Sequence, residues 1–243
     1  LSHSMNKTAI IIPSHLAAKR LPNKPLLKIN NKSMILHVWE RANKSNVKDI
    51  FVATADEDIE EEIKRNGGNV IITGKHHSTG SDRIYEALEK LNLDYEIIIN
   101  VQGDMPNINP ETINMINNFM ISNTNVPVAT VASKLNEDEI NDKNVVKAVT
   151  INNLEKNKFS KAFDFVRSIT NEQFYYHHIG LYGYKSSALS KFVKLEKTHN
   201  EKNRSLEQMR FIDHNIDIFV GYTDDNPLSI DTKEDLEKIR KIL

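Results

Sequence analysis

Arg20 and Lys24 stand four residues apart across a proline turn, in the stretch PSHLAAKRLPNKPLLK that spans residues 13–28. With Lys19 and Lys28 they make a strongly basic loop that contains no glycine. Pro13, Pro22 and Pro25 each fix φ and stiffen the chain, which suits a preorganised anion site. At this spacing both cations can reach one polyphosphate, Arg20 as a forked donor and Lys24 as a point charge. Solvated surface is the ordinary meaning of cations on a loop, so the placement of this loop decides between the two readings. It is not a Walker loop, because GxxxxGK[ST] is absent, and no GxGxxG fingerprint occurs.

The elements that position the loop follow from hydrophobic pattern. Ala9–Ile12 is a short, wholly apolar strand, and the loop leaves its carboxyl end. Ser33 is placed to N-cap a helix whose Ile35, Val38, Trp39 and Ala42 repeat at helical spacing. Ile50–Thr54 reads as a second buried strand, 57–66 as a helix stopped by Gly67-Gly68, and Val70–Thr73 as a third strand. Thr79-x-x-Asp82 resembles a capping box for a helix carrying Ile84, Leu88 and Leu91 on one face. Ile97–Val101 is a fourth strand, and Asn109-Pro110 opens a helix to about Met120. Strands recur near 126–133 and 144–151. Alternating helices and wholly apolar strands predict a parallel sheet covered on both faces, with about four βα units, doubly wound rather than a closed barrel. Ligands of such sheets bind beyond the carboxyl ends of the strands, where the basic loop lies.

From about residue 152 the alternation loosens. Residues 157–176 are polar and aromatic with no clean period. Gly180–Tyr184 reads as a strand, Ser205–His214 as a helix, Asp217–Val220 as a strand, and Thr232–Leu243 as a last helix capped by Thr232-x-x-Asp235. No proline- or glycine-rich linker separates this half, so residues 5–243 read as a single domain. Leu1–Ser4, ahead of Met5, read as a cloning remnant.

Composition narrows the function classes. The 243 residues include no cysteine, which excludes a disulfide scaffold, a thiolate zinc site and a cysteine nucleophile. Thirty-two basic and 33 acidic residues leave a formal net charge of −1, so no global attraction to nucleic acid or to a membrane surface is expected. No apolar run approaches the ~20 residues of a membrane span. No apolar segment of signal-peptide type precedes the first strand, and a reducing, cytoplasmic setting is expected.

These residues carry a resemblance. Ile12-Pro13, followed by Arg20-Leu21-Pro22-x-Lys24-Pro25-Leu26, resembles the signature loop of sugar nucleotidyltransferases, and more narrowly that of cytidylyltransferases acting on acidic 2-keto sugars. His77-Ser78-Thr79-Gly80-Ser81-Asp82-Arg83 is similar to that family's HQSGTDR, and Asn100-Val101-Gln102-Gly103-Asp104-x-Pro106 to its NVQGDEP. Asn144–Lys147, His178–Tyr184, Ser205–Arg210 and Ile230–Leu236 match later segments in order, so the resemblance runs from about residue 8 to 243. On these motifs the chain is identified as a member of the 3-deoxy-manno-octulosonate (Kdo) cytidylyltransferase family.

The resemblance implies a Rossmann-like three-layer nucleotidyltransferase fold with a mostly parallel sheet and an elaborated second half. It implies transfer of CMP from CTP to the anomeric hydroxyl of Kdo, with release of pyrophosphate, in lipopolysaccharide biosynthesis. Such a reaction takes its nucleophile from the substrate, so the protein must position two anions and neutralise phosphate charge. The implied catalytic set is Arg20, Lys24, Asp104 and Asp231, with Mg2+ held by Asp104 and Asp231. The implied nucleotide contacts are Pro13, His15, Arg20, Lys24, Ser78, Gly80, Ser81, Arg83 and Gln102. The implied sugar contacts are Gln102, His178, Tyr182, Glu207 and Gln208. A homodimer is also implied. The chain departs from the family at His15, Ala18, Asn23, Met105 and Lys161, where Arg, Ser, Gly, Glu and Arg are usual. His15 is the departure whose charge can change between pH 5 and 8. Two other readings stay open: another acidic 2-keto sugar as acceptor, such as a Kdo variant, and a non-catalytic nucleotide-binding relative. The presence of both aspartates speaks against the second.

Overall fold

The structure, a computed structural model, describes residues 8–92 and 94–243. The expected remnant at Leu1–Ser4 lies outside the described residues. β1 (Thr8–Pro13) is buried on both faces. Ile10 and Ile12 enter one hydrophobic layer while Ala9 and Ile11 enter the other, as the period of two of an extended strand requires. A small hairpin follows, β2 (Lys28–Ile29) and β3 (Lys32–Ser33). α1 (Met34–Asn43) starts at Ser33, whose hydroxyl accepts from the Leu36 N–H. β4 (Asp49–Thr54), α2 (Glu57–Arg65), β5 (Asn69–Ile72), α3 (Gly80–Lys90), β6 (Ile97–Asn100) and α4 (Pro110–Ser122) continue the alternation. The two glycines after α2 have different physical causes. Gly67 sits at φ 88°, whereas a Cβ on Gly68 would come within 2.5 Å of Ile63 and 2.8 Å of Trp39.

In this half the strand order is β5-β4-β1-β6, all parallel. Residues of α1, α2 and α4 pack on one face, and residues of α3 on the other. The chain runs from β1 outward to β4 and β5, then returns to the opposite side of β1 as β6. That reversal opens a crevice at the carboxyl ends of β1 and β6. The basic loop leaves β1 into this crevice, and residues 101–104 leave β6 into it.

The second half comprises β7 (Val128–Lys134), β8 (Lys147–Thr150), α5 (Leu154–Asn157), β9 (Phe159–Val166), β10 (Phe174–Lys185), α6 (Ser186–Lys194), α7 (His199–Arg204), α8 (Met209–Asp213), β11 (Ile218–Tyr222) and α9 (Lys233–Ile242). It corrects three expectations. The main sheet is mixed, not mostly parallel: among the described residues, four strand pairings are parallel and five antiparallel. β10, which inserts antiparallel between β6 and β7 and also pairs with β8, makes three of the antiparallel pairings, and β9, antiparallel to both β11 and β8, makes the other two. The sheet is also not simply open. β10 pairs with both β7 and β8, so the pairings β10-β7-β11-β9-β8-β10 close on themselves. The aperiodic 157–176 stretch supplies β9 and the start of β10 in that ring, with Phe165 and Tyr176 buried there. Finally, Ser205–His214 is not one helix. Ser205 adopts φ 53° as the left-handed cap of α7, and the next helix begins only at Met209.

The C-terminal helix holds the basic loop from outside. Leu21, Ile29 and Met34 pack with Ile230, Leu236 and Ile239 in a third hydrophobic cluster. Arg240 donates from Nε and Nη2 to the Lys28 carbonyl at 3.1 and 2.9 Å. Thr232 and Asp235 form the expected capping box of α9. Within the loop, Asn23 stands at φ 57°, a left-handed position that asparagine tolerates better than other residues with a side chain. Its replacement of the family's glycine is therefore conformationally coherent. Asn23→Gly is expected to leave stability near that of the parent, whereas Asn23→Val should cost about 1–2 kcal/mol. Urea unfolding of the two variants checks this, and equal losses would contradict it.

Candidate active site

The crevice at β1 and β6 is built by backbone tethers. Ser14 N–H donates to the Ala53 carbonyl at 3.0 Å, and Leu16 N–H to Asp56 Oδ2 at 2.9 Å, which bind the start of the basic loop to β4 and α2. Gly103 lets the segment after β6 come close to the end of β1, because a Cβ there would lie 3.1 Å from the Pro13 carbonyl oxygen. Three adjoining cavities result. The first, of about 300 Å³, includes Asn100, His178, Tyr182, Tyr184 and Glu207 in its lining. The second, of about 130 Å³, is bounded by Pro13, His15, Ser78, Gly80 and Arg83. The third, of about 110 Å³, is bounded by Pro13, His15, Ala18, Lys24 and Asp104. Gln102 lines all three and joins them into one cleft.

Most of the expected site residues therefore converge. Ser81 and Gln208 also line the first cavity. Glu207 and Gln208 reach it from the turn ahead of α8, because that turn is not helical. Arg20 and Asp231 are not in these cavities. They stand at the exposed rim, paired with each other at 3.0 Å. Arg83 is buried, and its Nη1 is already committed to Thr73 Oγ1 and the Gly74 carbonyl.

Charge is arranged in opposed pairs. Lys24 Nζ lies 3.3 Å from Asp104 Oδ2, beside the Arg20–Asp231 pair. The two carboxylate segments are joined by a hydrogen bond from Ile230 N–H to the Asp104 carbonyl at 2.9 Å. Burial pushes the Asp104 carboxyl above its ordinary value, Lys24 opposes this, and the Asp231 charge adds to it. Burial lowers the His15 pKa, and the cations of Arg83 and Lys24 lower it further against the pull of Asp56. The imidazole is thus predominantly neutral at pH 7, unlike the arginine usual in the family.

The first cavity has a different character. The Tyr182 hydroxyl, Glu207 Oε1 and Asn100 Oδ1 are buried and have no hydrogen-bond partner among the described residues. Native interiors rarely leave such atoms unpaired, so their convergence on a cavity marks a site for a ligand rich in hydroxyl groups. Burial raises the Glu207 carboxyl and the Tyr182 and Tyr184 hydroxyls. His178 Nε2 is 3.1 Å from Thr130 Oγ1, which also lies 2.7 Å from the Leu181 carbonyl. The single hydroxyl proton goes to that carbonyl, so Thr130 accepts from His178 and the ring keeps its proton on Nε2. Asn100 and Tyr184 were missed in the sequence. A polar residue ending a wholly apolar strand signalled the first, and the strand period from Tyr182 signalled the second. The two tyrosine rings stack 5.6 Å apart.

Three departures from the family pattern find places. Met105 is buried in the core beneath the crevice. Lys161 points away from the site to Asp217, 3.2 Å distant. Ala18 lines the third cavity.

An α/β sheet with a polyanion-sized basic loop at its switch point defines a nucleotide-handling class of protein. The comparisons narrow it. The cytidylyltransferase family profile matches residues 9–218. A 3-deoxy-manno-octulosonate cytidylyltransferase of Bartonella quintana is 41% identical over 98% of both chains. One from Nitrobacter winogradskyi is 38% identical over 98% of this chain and 94% of its own. The solved structure of CMP:2-keto-3-deoxy-manno-octonic acid synthetase complexed with CTP superposes with a TM-score of 0.90 at 33% identity, covering 97% of this chain and 98% of the other. A 4-diphosphocytidyl-2C-methyl-D-erythritol synthase from Anaerococcus prevotii shares the fold alone, at TM-score 0.64 and 16% identity. This chain belongs to the 3-deoxy-manno-octulosonate cytidylyltransferase family.

His178 gives the site a signature in stability. Burial, assisted by His177, lowers its pKa from 6.5 to about 3. Below pH 6.5 the unfolded chain therefore takes up a proton that the folded chain refuses, and stability falls as pH drops toward 3. His178→Asn should show a shallower fall over that window in denaturant titrations. An unchanged slope would mean that His178 is protonated in the folded protein.

Proposed function

We propose that the protein transfers CMP from CTP to the anomeric hydroxyl of Kdo, giving CMP-Kdo and pyrophosphate for lipopolysaccharide biosynthesis. The observation that carries this reading is the single cleft in which a cavity with three unpartnered polar atoms meets the basic loop through Gln102. Membership of the family supports the choice of nucleotide and sugar. The sugar hydroxyls take the partners that Asn100, Tyr182 and Glu207 lack. The triphosphate lies along the basic loop, with Lys24 and Arg20 as its counter-charges. Gln102 stands where the two substrates meet. The anomeric hydroxyl oxygen attacks the α-phosphorus and its proton passes to solvent, while the bond from the α-phosphorus to the bridging oxygen breaks and its electron pair leaves with pyrophosphate. The protein's contribution is to hold nucleophile and phosphorus in line and to neutralise the developing charge.

Asp104 and Asp231 suit a magnesium ion. They are neighbouring carboxylates, one destabilised by burial and by the other's charge, and each is balanced by a cation of the loop. Mg2+ is commonly held by one or two carboxylates together with phosphate oxygens. Mg2+, when bound there, supplies charge neutralisation at the phosphates. On arrival of the triphosphate, Lys24 and Arg20 exchange the aspartates for phosphate oxygens and free the carboxylates. This reading treats residues 5–243 as a single catalytic domain in a cytoplasmic setting. Among the described residues no helix is long and apolar enough to cross a membrane. A homodimer is supported by Ile151, Phe163 and Phe174, which remain 53%, 42% and 42% exposed around the β9–β8–β10 end of the sheet.

The primary experiment is pyrophosphate release with CTP, Mg2+ and a panel of acidic sugars. Turnover with Kdo is expected. Turnover only with another 2-keto acid would move the assignment to that acceptor, and none at all would overturn it. Asp104→Asn and Asp231→Asn should each lower turnover on the order of 10²–10³-fold while staying folded, the scale of losing one preorganised electrostatic group. Tyr182→Phe removes a hydroxyl with no hydrogen-bond partner among the described residues, so stability should hold while KM for the sugar rises on the order of tenfold. Sedimentation at micromolar concentration tests the dimer. A species of one chain only would refute it.

A further inference from the structure

We propose that His76, His77 and Glu86 form an accessory site for a divalent transition metal of the Zn2+ class, separate from the Asp104–Asp231 pair. One ligand atom from each of the three lies within 4.8 Å of the others. Zinc bonds to imidazole nitrogen and carboxylate oxygen are about 2.0–2.2 Å long, so closing the site takes only small side-chain movements. Two imidazoles and one carboxylate favour Zn2+, Co2+ or Ni2+ over Mg2+, which prefers oxygen ligands and retains its water.

Three further observations show that these residues are held in place. Glu86 accepts the Gly74 N–H at 3.0 Å on Oε1 and 3.2 Å on Oε2, which orients the carboxylate from behind. Lys90 approaches Oε2 at 3.3 Å, while Oε1 faces His77 Nε2 at 2.9 Å. A metal would replace the proton now shared between Oε1 and that nitrogen. Gly74 also makes room for His76: a Cβ there would lie 2.5 Å from the His76 ring. Gly74 does not have a left-handed φ, so space rather than backbone freedom is what its missing side chain provides. The two rings are held 4.2 Å apart. The His77 side chain is only 9% exposed, whereas His76 is open to solvent. The cluster opens into a cavity of about 360 Å³, also lined by Asp82 and Glu89, with space for water in the remaining coordination positions.

His77 and Ser78 line both this cavity and the second cavity of the cleft. Occupation by metal therefore ties the segment before α3 to the helix that carries Arg83. The test uses the full chain, stripped with chelator and titrated with Zn2+ alone by calorimetry and with Co2+ by visible absorption. One ion per chain is expected, with the d–d bands of a low-symmetry Co2+ site. His76→Ala removes a ligand outside the cleft, and Gly74→Ala displaces His76 while removing no ligand. Each should weaken Zn2+ binding at least tenfold and abolish the Co2+ bands. His76→Ala should leave Mg2+-supported turnover unchanged in the absence of Zn2+. Zn2+ binding that is equally tight in both variants, or absence of stoichiometric binding in the parent, overturns the proposal.

Discussion

β1 pairs in parallel with β4 on one side and β6 on the other, and the placement of the site depends on this arrangement. Because β1 is flanked on both sides and covered on both faces, its carboxyl end cannot shift without breaking two ladders and two hydrophobic layers. A one-residue slip would exchange Ile10 and Ile12 with Ala9 and Ile11 between layers of different shape. The loop after Pro13 and the segment after Asn100 therefore start from fixed points. The cleft between them is a consequence of strand order before it is a consequence of any side chain.

The second half of the chain supplies what the parallel half lacks. β10 enters antiparallel beside β6 and brings Tyr182 next to Asn100 in register. It carries His178, Tyr182 and Tyr184 along one strand, and the turn before α8 closes over them with Glu207. The cavity is thus walled by the open sheet on one side and by the elaborated half on the other. Its unpartnered oxygens lie where the two halves meet. The buried Arg210–Glu201 pair, 2.6 Å apart, anchors that turn from behind, and the Arg210 guanidinium lies 4.1 Å above the Phe192 ring. Removing one partner of such a pair leaves a buried charge uncompensated.

The charged parts of the cleft are mutually balanced. Two loop cations face two carboxylates, and the C-terminal helix holds the loop in position through the cluster that joins Leu21 to Leu236 and Ile239. This balance matches the near-zero formal net charge of the chain. The positive field is local to the loop and is not a property of the whole surface.

Much of this was legible in the sequence. Wholly apolar strands, the Ser33, Thr79, Asn109 and Thr232 caps, and the basic loop at a strand's carboxyl end are local features, set by hydrogen bonding and burial over a few residues. They determined the alternating α/β half, and the ordered motifs located most of the cleft. The tertiary structure alone decided the rest. The antiparallel insertion of β10 and the closing of the second half depend on partners distant in sequence, and a strand's own pattern does not name its neighbour. Ser205, at φ 53°, caps α7 in the left-handed region, so the expected helix over 205–214 starts only at Met209 and Glu207 lines the cavity from a turn. The pairing of Arg20 with Asp231 spans 211 residues, and the cradle around His76 needs a glycine whose reason is space rather than turn geometry. Charge balance and steric room arise between segments, so they became visible only once the chain was folded.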